Sequence, residues 1–366
     1  MKEQKDILIV GGTGTVGRKI ASYLAPDYPD QIVIAGRNIE KASQVASALG
    51  YGVRACPIDV RDPHSVNEAL DGVGIVMSCV GQPATPHLLL ASVYRGCGYT
   101  DITPNSINRP PYPDTLKAEA AQNGARVILG AGMVPGISNI LARIGADRVG
   151  PVDTVESACL LSVGDEYGAD SRAFIAQEIV TEFRTTIDGK LKLVKPFTSP
   201  KRIEFAAPVG LCKAYLFPFS DQVYYPETLG ARTAVSRLVL LPRWVPATLA
   251  FLLPLARSTF LQRGLGAGRG FGGLMDWLKQ KYKGLDWWGV QVEVQGKKGI
   301  WRASIQGHGQ ANATALSASA FIRALLEGEV YRSGIWTADQ AIPVDPFIRR
   351  LAAHGLSPVV KVDSFN

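Results

Sequence analysis

Glycines 12, 14 and 17, with Thr13, Thr15 and Val16 between them, stand in a spacing whose chemistry is the binding of a pyrophosphate. Gly12 lets the chain turn sharply, Gly14 removes a Cβ that would block the phosphates, and Gly17 lets a following helix pack tightly on a preceding strand. A helix starting there offers free N–H groups and a partial positive charge to an anion. A glycine-rich turn that binds nothing has the same composition, so the pattern counts only with a strand before it and a helix after it.

Where the adenosine ribose of a dinucleotide would lie stands Arg37, followed by Asn38 and, one turn later, Lys41. An NAD-preferring site places a carboxylate there for the ribose 2′-hydroxyl, whereas a guanidinium pairs with a 2′-phosphate through two hydrogen bonds. NADP(H) is therefore the expected cofactor, and stacking of Arg37 on the adenine without phosphate selection is the alternative. Asp59 and Val60 are placed to meet the adenine edge, and Cys79, Val80, Gly81 and Gln82 to lie beside the nicotinamide. Cys79 reads as core rather than nucleophile, because no neighbouring base is evident.

Hydride transfer also needs a proton donor, and Tyr99, Asp101 and His308 are the candidates. Tyr99 lacks the lysine of a Tyr-x-x-x-Lys pair, Thr103 standing in its place. Asp101 reads first as a helix cap or turn acceptor and second as a catalytic acid. His308 reads as a turn residue between Gly307 and Gly309, where a structural role is usual and proton donation the sharper alternative.

These residues need elements to hold them. The apolar run 7–10 predicts a strand, and Val16, Ile20, Ala21 and Leu24 recur at helical spacing. Strands are expected at 31–35, 53–60, 75–80, 99–103 and 126–131, with helices at 61–70, 86–96 and 112–123. The alternation predicts a doubly wound parallel sheet with ligands at the strand C-termini.

A chain of 366 residues, 46% hydrophobic and 19% charged, can bury a large core and exceeds one typical domain. The net charge of +7 comes from basic residues spread along the chain without a run of five, which argues against nucleic acid. It fits an anionic cofactor, an acidic substrate or a membrane surface. The cysteines at 56, 79, 97, 159 and 212 are odd in number and form no Cys-x-x-Cys pair, so neither a disulfide framework nor a metal site is indicated. The polar N-terminus enters the first strand without room for a signal peptide, and a cytoplasmic protein is expected.

Residues 11–17 (GGTGTVG), 35–38 (AGRN), 99–101 (YTD) and 130–139 (GAGMVPGISN) together resemble the saccharopine dehydrogenase-like family of NAD(P)-dependent oxidoreductases. The resemblance is specific over about the first 140 residues and looser at 307–320 and 334–355. It implies a Rossmann domain formed by 1–140 with 335–366, and an inserted mixed α/β domain at 141–334 for substrate binding and homodimer formation. It also implies reduction of imines formed from amino acids, or of carbon–carbon double bonds on lipid-like substrates.

The middle of the chain agrees in outline, with strands read at 152–163, 190–194, 202–206 and 303–306 and helices at 171–185 and 311–325. Parallel alternation is lost there, and antiparallel pairing is expected. Residues 238–256 are almost wholly apolar yet contain Pro242, Pro246 and Pro254 and are too short to span a membrane. Three readings stay open: a buried helical pair in the core or a dimer interface, a lid over an apolar substrate, or an in-plane membrane contact with Trp244, Arg257, Arg263 and Arg269 at headgroup level. The glycine-rich stretch 263–273 reads as a surface connection or a hinge.

An imine carrying carboxylates would need cationic anchors, for which Arg172, Arg184, Lys213 and Arg232 are available. An apolar substrate would need a cavity, for which 238–256 with Phe217, Phe219, Tyr224 and Tyr225 are available. The expected function is NADP(H)-dependent hydride transfer to a C=N or C=C bond of a small or apolar substrate; the alternative is an NADP(H)-binding redox sensor without turnover.

Overall fold

Strand β1 (Asp6–Val10) is apolar at four consecutive positions because both of its faces are covered, and Ile7, Leu8, Ile9 and Val10 are all buried. It is an inner strand of a parallel sheet with β2 (Ile32–Gly36), β3 (Arg54–Pro57), β4 (Val73–Ser78), β5 (Gly98–Asp101), β6 (Arg126–Leu129) and β15 (Gly334–Thr337), in the order β15-β6-β5-β4-β1-β2-β3. The chain runs outward from β1 through β2 to β3 and then returns to β4 on β1's other side. The crevice outside the C-terminal ends of β1 and β4 is thus a topological switch point, where such sheets bind ligands.

In this computed structural model, residues 5–81, 85–102, 113–166, 168–256, 273 and 276–364 are described. The chain divides into two units, Met1–Asn105 with Pro110–Gly136 and Ala311–His354, and Ser106–Arg109 with Ile137–Gln310 and Gly355–Asn366. These limits differ from 1–140 with 335–366 and 141–334. All but the first residue of a long helix, Gln310–Leu326, falls in the first unit and the last strand in the second.

The first unit is built by amphipathic periodicity. Helix α1 (Thr15–Leu24) buries Gly17, Ile20, Ala21 and Leu24, one stripe at the i, i+3, i+4, i+7 spacing. Helices α2 (Ile39–Leu49), α3 (Pro63–Ala69), α4 (Thr85–Tyr94) and α5 (Asp114–Gln122) complete the alternation. The strand read at 53–60 stops at Pro57, although Ile58 and Val60 beyond it stay in the core.

The second unit is organised on a mixed sheet of β10 (Lys201–Glu204), β11 (Leu211–Leu216), β12 (Thr233–Leu241), β7 (Val152–Ser162), β13 (Trp287–Gly296), β14 (Gly299–His308) and β16 (Val359–Ser364), in that order, with β8 (Phe183–Ile187) and β9 (Lys190–Val194) off this path. The expected antiparallel pairing holds except between β12 and β7, which run parallel. Helix α6 (Ile137–Val149) lies on β13 and β14 so closely that a Cβ on Gly145 would stand 2.5 Å from Val294 and 2.6 Å from Trp301. Helices α7 (Ala169–Glu178), α8 (Asp221–Leu229) and α9 (Trp244–Ala256) complete the unit.

Three sequence readings change here. The helix expected over 171–185 ends at Glu178, because Phe183 and Thr185 are buried while Arg184 between them is exposed, the period of a strand. The apolar stretch 238–256 is no helical pair: Leu238–Leu241 finishes the buried strand β12 and only Trp244–Ala256 is helical. His308 is the last residue of β14, paired across the ladder with Trp287, rather than a turn residue. Among the described residues no helix is long and apolar enough to cross a membrane.

Candidate functional site

The turn between β1 and α1 is made by Gly11, whose φ of +79° favours glycine, and a Cβ there would stand 2.9 Å from the Val80 side chain and 3.1 Å from the Cys79 carbonyl oxygen. Gly11 donates its N–H to Ala35 O at 2.9 Å, and Gly14 donates to Gly11 O at 2.9 Å. The sharp turn belongs to Gly11, and Gly12 has another duty: a Cβ on it would press at 2.8 Å on Ile9 O and 3.0 Å on Ile34. Gly17 would meet Gly11 O at 2.6 Å and Gly12 Cα at 2.7 Å, so helix α1 rests directly on the turn.

Gly14 is different. It is exposed, and a Cβ there would meet only Gly11 O, at 3.2 Å. The backbone at Gly14 therefore faces open space, beside Thr13, Thr15 and Val16, which are half-buried. The first bond into α1 runs from Arg18 N–H to Gly14 O, and no acidic residue occupies the first turn. The N–H groups of Thr15, Val16 and Gly17 have no carbonyl within their own helix, the condition for holding an anion.

Beside this cradle, at the ends of β2 and β3, Arg37 and Lys41 are exposed. Asn38 accepts the Lys41 N–H on its side-chain oxygen at 2.7 Å and so caps α2, leaving that oxygen committed to the backbone. Asp59 accepts two side-chain bonds from Arg61, at 3.0 and 2.7 Å, and one from the Arg61 backbone at 3.1 Å. Hydrogen bonding to Arg61, aided by the nearby charge of Arg37, holds the Asp59 carboxyl down at about 2. Three cations, Arg37, Lys41 and Arg61, thus surround the ends of these two strands with a carboxylate already paired. Val60 is a core residue.

At the end of β4, Cys79 donates its N–H to Val10 O at 2.8 Å, and burial together with the Asp101 carboxylate pushes its thiol up, away from nucleophilic character. Val80 is half-buried against the turn, as its closeness to Gly11 shows, Gly81 follows it, and Gln82 lies outside the described residues. Tyr99 is fully buried, two residues before Asp101 on the same face of β5. Asp101 is buried as well; its Oδ1 accepts the Gly130 N–H at 2.9 Å and its carbonyl accepts the Ala131 N–H at 2.6 Å. Burial pushes its carboxyl up to about 7, against the opposing pull of the Gly130 N–H. Asp101 thus holds the start of the segment that runs to Gly136, where a φ of +128° and a Cβ site 2.0 Å from Gly132 O admit only glycine.

Residues 7–134, the stretch that contains this cradle, match the family described as the saccharopine dehydrogenase NADP binding domain. Over that stretch the chain carries the NADP-binding domain of the saccharopine dehydrogenase family. Its fold is also that of apo saccharopine dehydrogenase (L-Glu forming) from Saccharomyces cerevisiae, with a TM-score of 0.70 over 98% of this chain and 100% of that one at 15% identity. A Mycobacterium leprae protein named trans-acting enoyl reductase is 32% identical over 161 residues, 41% of this chain and 38% of the relative. A Mycobacterium tuberculosis protein provisionally given the same name is 29% identical over 210 residues, 54% of this chain and 49% of the relative. The chain spans about half the length, or less, of the curated relatives it matches.

Within this NADP-binding domain, sequence reasoning missed Gly11 and Arg61. Gly11 precedes the counted triplet, and its role follows from a backbone angle. Arg61 follows Asp59 by two residues, and a cation so close behind a strand-end acid was the available signal.

In the second unit His308 presents Nδ1 to Asp286 Oδ1 at 2.6 Å, and its ring lies 4.0 Å from that of Trp287. A carboxylate on Nδ1 selects the tautomer that bears the proton there, and His308 keeps 58% of its side chain exposed. Asp165 stands close enough to Asp286 to feel its charge, and its Oδ2 accepts the Gln310 N–H at 2.7 Å. Phe217, Phe219 and Tyr225 are buried, Phe217 meeting the rings of Phe174, Phe197 and Phe219, and Tyr225 donating to Asp221 at 2.9 Å; they form core rather than the walls of a cavity. Of the cationic anchors, Arg184 and Lys213 are exposed, Arg232 pairs with Asp153, and the Arg172 side chain lies outside the described residues, as do Arg257, Arg263, Arg269 and nearly all of 263–273.

A groove of about 590 Å³ crosses one face of the second sheet, lined by Glu156, Lys201, Glu293 and Arg302 among others. Its charges alternate and are matched: Glu156 pairs with Arg237 and Lys201, and Glu293 with Lys201 and Arg302. Burial would raise the Glu293 carboxyl, but Arg302 and Lys201 outweigh it and hold it below its usual range. Most of the lining charge is neutralised in this way, with the exposed Arg202 outside these pairs.

Proposed function

We propose that the protein is an NADPH-dependent reductase that delivers hydride to a carbon–carbon double bond of an apolar, enoyl-type substrate. The observation that carries this reading is the open backbone at Gly14 beside the cations Arg37, Lys41 and Arg61, a cradle and a charge that suit a pyrophosphate and a 2′-phosphate. The nicotinamide, when bound, supplies the hydride. The residues of this chain bind and orient it: Thr15, Val16 and Gly17 offer their N–H groups, Arg37 and Arg61 select the phosphate, and Cys79, Val80 and Gly81 border the turn with a protonated thiol that offers no competing nucleophile. Asp101 braces the backbone at Gly130 and Ala131. The choice of C=C over C=N is supported by the mycobacterial relatives named enoyl reductases and by the absence of an uncompensated cationic cluster among the described residues lining the second unit's groove.

The test is titration of NADPH and NADH into purified protein, followed by turnover on parallel panels of α,β-unsaturated thioesters and amino-acid imines. NADPH consumption confined to the unsaturated panel is the expected result. Consumption on imines alone overturns the substrate class. NADPH bound tightly and consumed by neither panel overturns the enzyme and favours a redox sensor.

A further inference from the structure

Helix α9 carries no charged residue from Trp244 to Ala256, yet over residues 244–251 the protein covers only one of its sides. Val245 and Leu249 are buried, while Trp244, Ala247, Thr248 and Phe251 are exposed; these lie at i, i+3, i+4 and i+7 and so share one face. A helix apolar on all sides is ordinarily enclosed on all sides. Phe251 is instead 76% exposed and Trp244 43%.

The patch continues at residues 277–283. Trp244 Nε1 donates to the Tyr282 hydroxyl at 3.1 Å, and Lys281 Nζ lies 4.7 Å from the centre of the Trp277 ring and 5.7 Å from that of Tyr282. Trp277 is 50% exposed, and Lys281 and Lys283 are exposed beside it. Large aromatic side chains thus stand outward together, rimmed by ammonium groups. The sequence from Arg243 to Lys283 holds seven cationic side chains and a single acid, Asp276.

We propose that this face docks in the plane of an anionic membrane surface, with Phe251 in the acyl region, Trp244 and Trp277 at the boundary, and Lys281 and Lys283 among the headgroups. Each part of the patch matches a layer of that surface: indole and phenol rings prefer the boundary, lysines pair with anionic headgroups, and an uncharged helix face loses nothing by leaving water. At 13 residues α9 is about 20 Å long, too short to cross a hydrocarbon core of about 30 Å, so it lies along the surface. The inference goes beyond the reductase reading and does not depend on hydride transfer, although a reductase docked in this way would meet an apolar substrate where such substrates concentrate.

The experiment is co-sedimentation of the full chain with vesicles of phosphatidylcholine alone and of phosphatidylcholine containing phosphatidylglycerol, at low and high salt, with NADPH titrated in parallel. Expected are binding to the anionic vesicles, weakening by salt, and at least a tenfold loss in the Phe251→Ser, Trp277→Ser double variant with NADPH affinity unchanged. Lys281→Glu with Lys283→Glu should remove the preference for the anionic vesicles. Wild-type protein that stays in solution with both vesicles overturns the proposal, as does a double variant that binds like wild type. A wild-type dimer that the same double variant splits into monomers also overturns it, in favour of a second copy of the chain. None of these outcomes touches NADPH binding or turnover, so the membrane inference and the reductase reading fail separately.

Discussion

A Cβ added to Gly17 would stand 2.6 Å from the carbonyl oxygen of Gly11, so the helix behind the cofactor cradle is seated on the backbone of the turn in front of it. Gly17→Ala must push α1 away from the turn, because the obstructing atom is backbone and cannot swing aside. The expected cost is about 1–3 kcal/mol of stability, as for other overpacked sites. A lower Tm together with weaker NADPH binding in the same variant is the expected outcome. An unchanged Tm would mean that α1 does not rest on Gly11.

Gly14→Val separates binding from folding. Its Cβ would meet only Gly11 O at 3.2 Å, so the variant should fold with nearly the wild-type Tm while filling the space where a pyrophosphate approaches. NADPH affinity should fall by at least about a hundredfold, since the blocked contacts are charge-assisted hydrogen bonds worth about 1.5–3 kcal/mol each. Unchanged affinity by titration would remove the phosphates from this turn.

Arg37→Asp and Arg61→Ala test cofactor selectivity. Each removes a cation from the ends of β2 and β3, and Asp59 is already committed to Arg61. NADPH should weaken by about tenfold or more in either variant, with NADH little changed, as expected for loss of one charge-assisted bond to a phosphate. Equal losses for the two nucleotides at Arg37 would make that residue a shelf for the adenine.

What could be read from the sequence follows the range of the interaction behind each feature. Gly12, Gly14 and Gly17 shape a turn through local backbone and a neighbouring strand, so their spacing alone pointed to it. Gly11 escaped because its role is a dihedral angle, and Asp286 because it meets His308 across 22 residues through an antiparallel ladder. The parallel alternation up to β6 was legible from repeated apolar runs. The seventh strand, Gly334–Thr337, pairs with β6 from about two hundred residues away, and its half-exposed Ile335 and Trp336 carry no local signal of that partner. Residues 238–256 misled for a related reason: a central strand such as β12 and an apolar helix such as α9 have the same composition, and only the neighbours of Leu238 distinguish them.

Asp101 should make stability fall as pH rises. Its folded carboxyl titrates at about 7, raised by burial, whereas an unfolded aspartate titrates near 3.9. Below about pH 4 both states hold the proton and the stabilising contribution is fully present. Between about 4 and 7 the unfolded state ionises first, so the folded state binds more protons and loses stability; above 7 the loss is complete, on the order of 4 kcal/mol at most. Asp101→Asn keeps an oxygen to accept the Gly130 N–H but cannot ionise. Urea unfolding at a series of pH values should therefore show a decline for wild type and a flatter profile for Asp101→Asn. Parallel profiles would assign the slope to other groups.

His308→Gln and Asp286→Asn distinguish a proton donor from a structural pair. If His308 supplies the proton, His308→Gln should lower kcat by about a hundredfold with little change in NADPH affinity, within the range for loss of a general acid. Asp286→Asn leaves the ring in place but removes the carboxylate that orients it through Nδ1, so it should also lower kcat. A structural pair would behave otherwise: both substitutions would lower Tm, because the ring packs at 4.0 Å on Trp287, while turnover per folded molecule and its pH profile stayed as in wild type. Measuring kcat, its pH dependence and Tm on the same preparations decides between these outcomes.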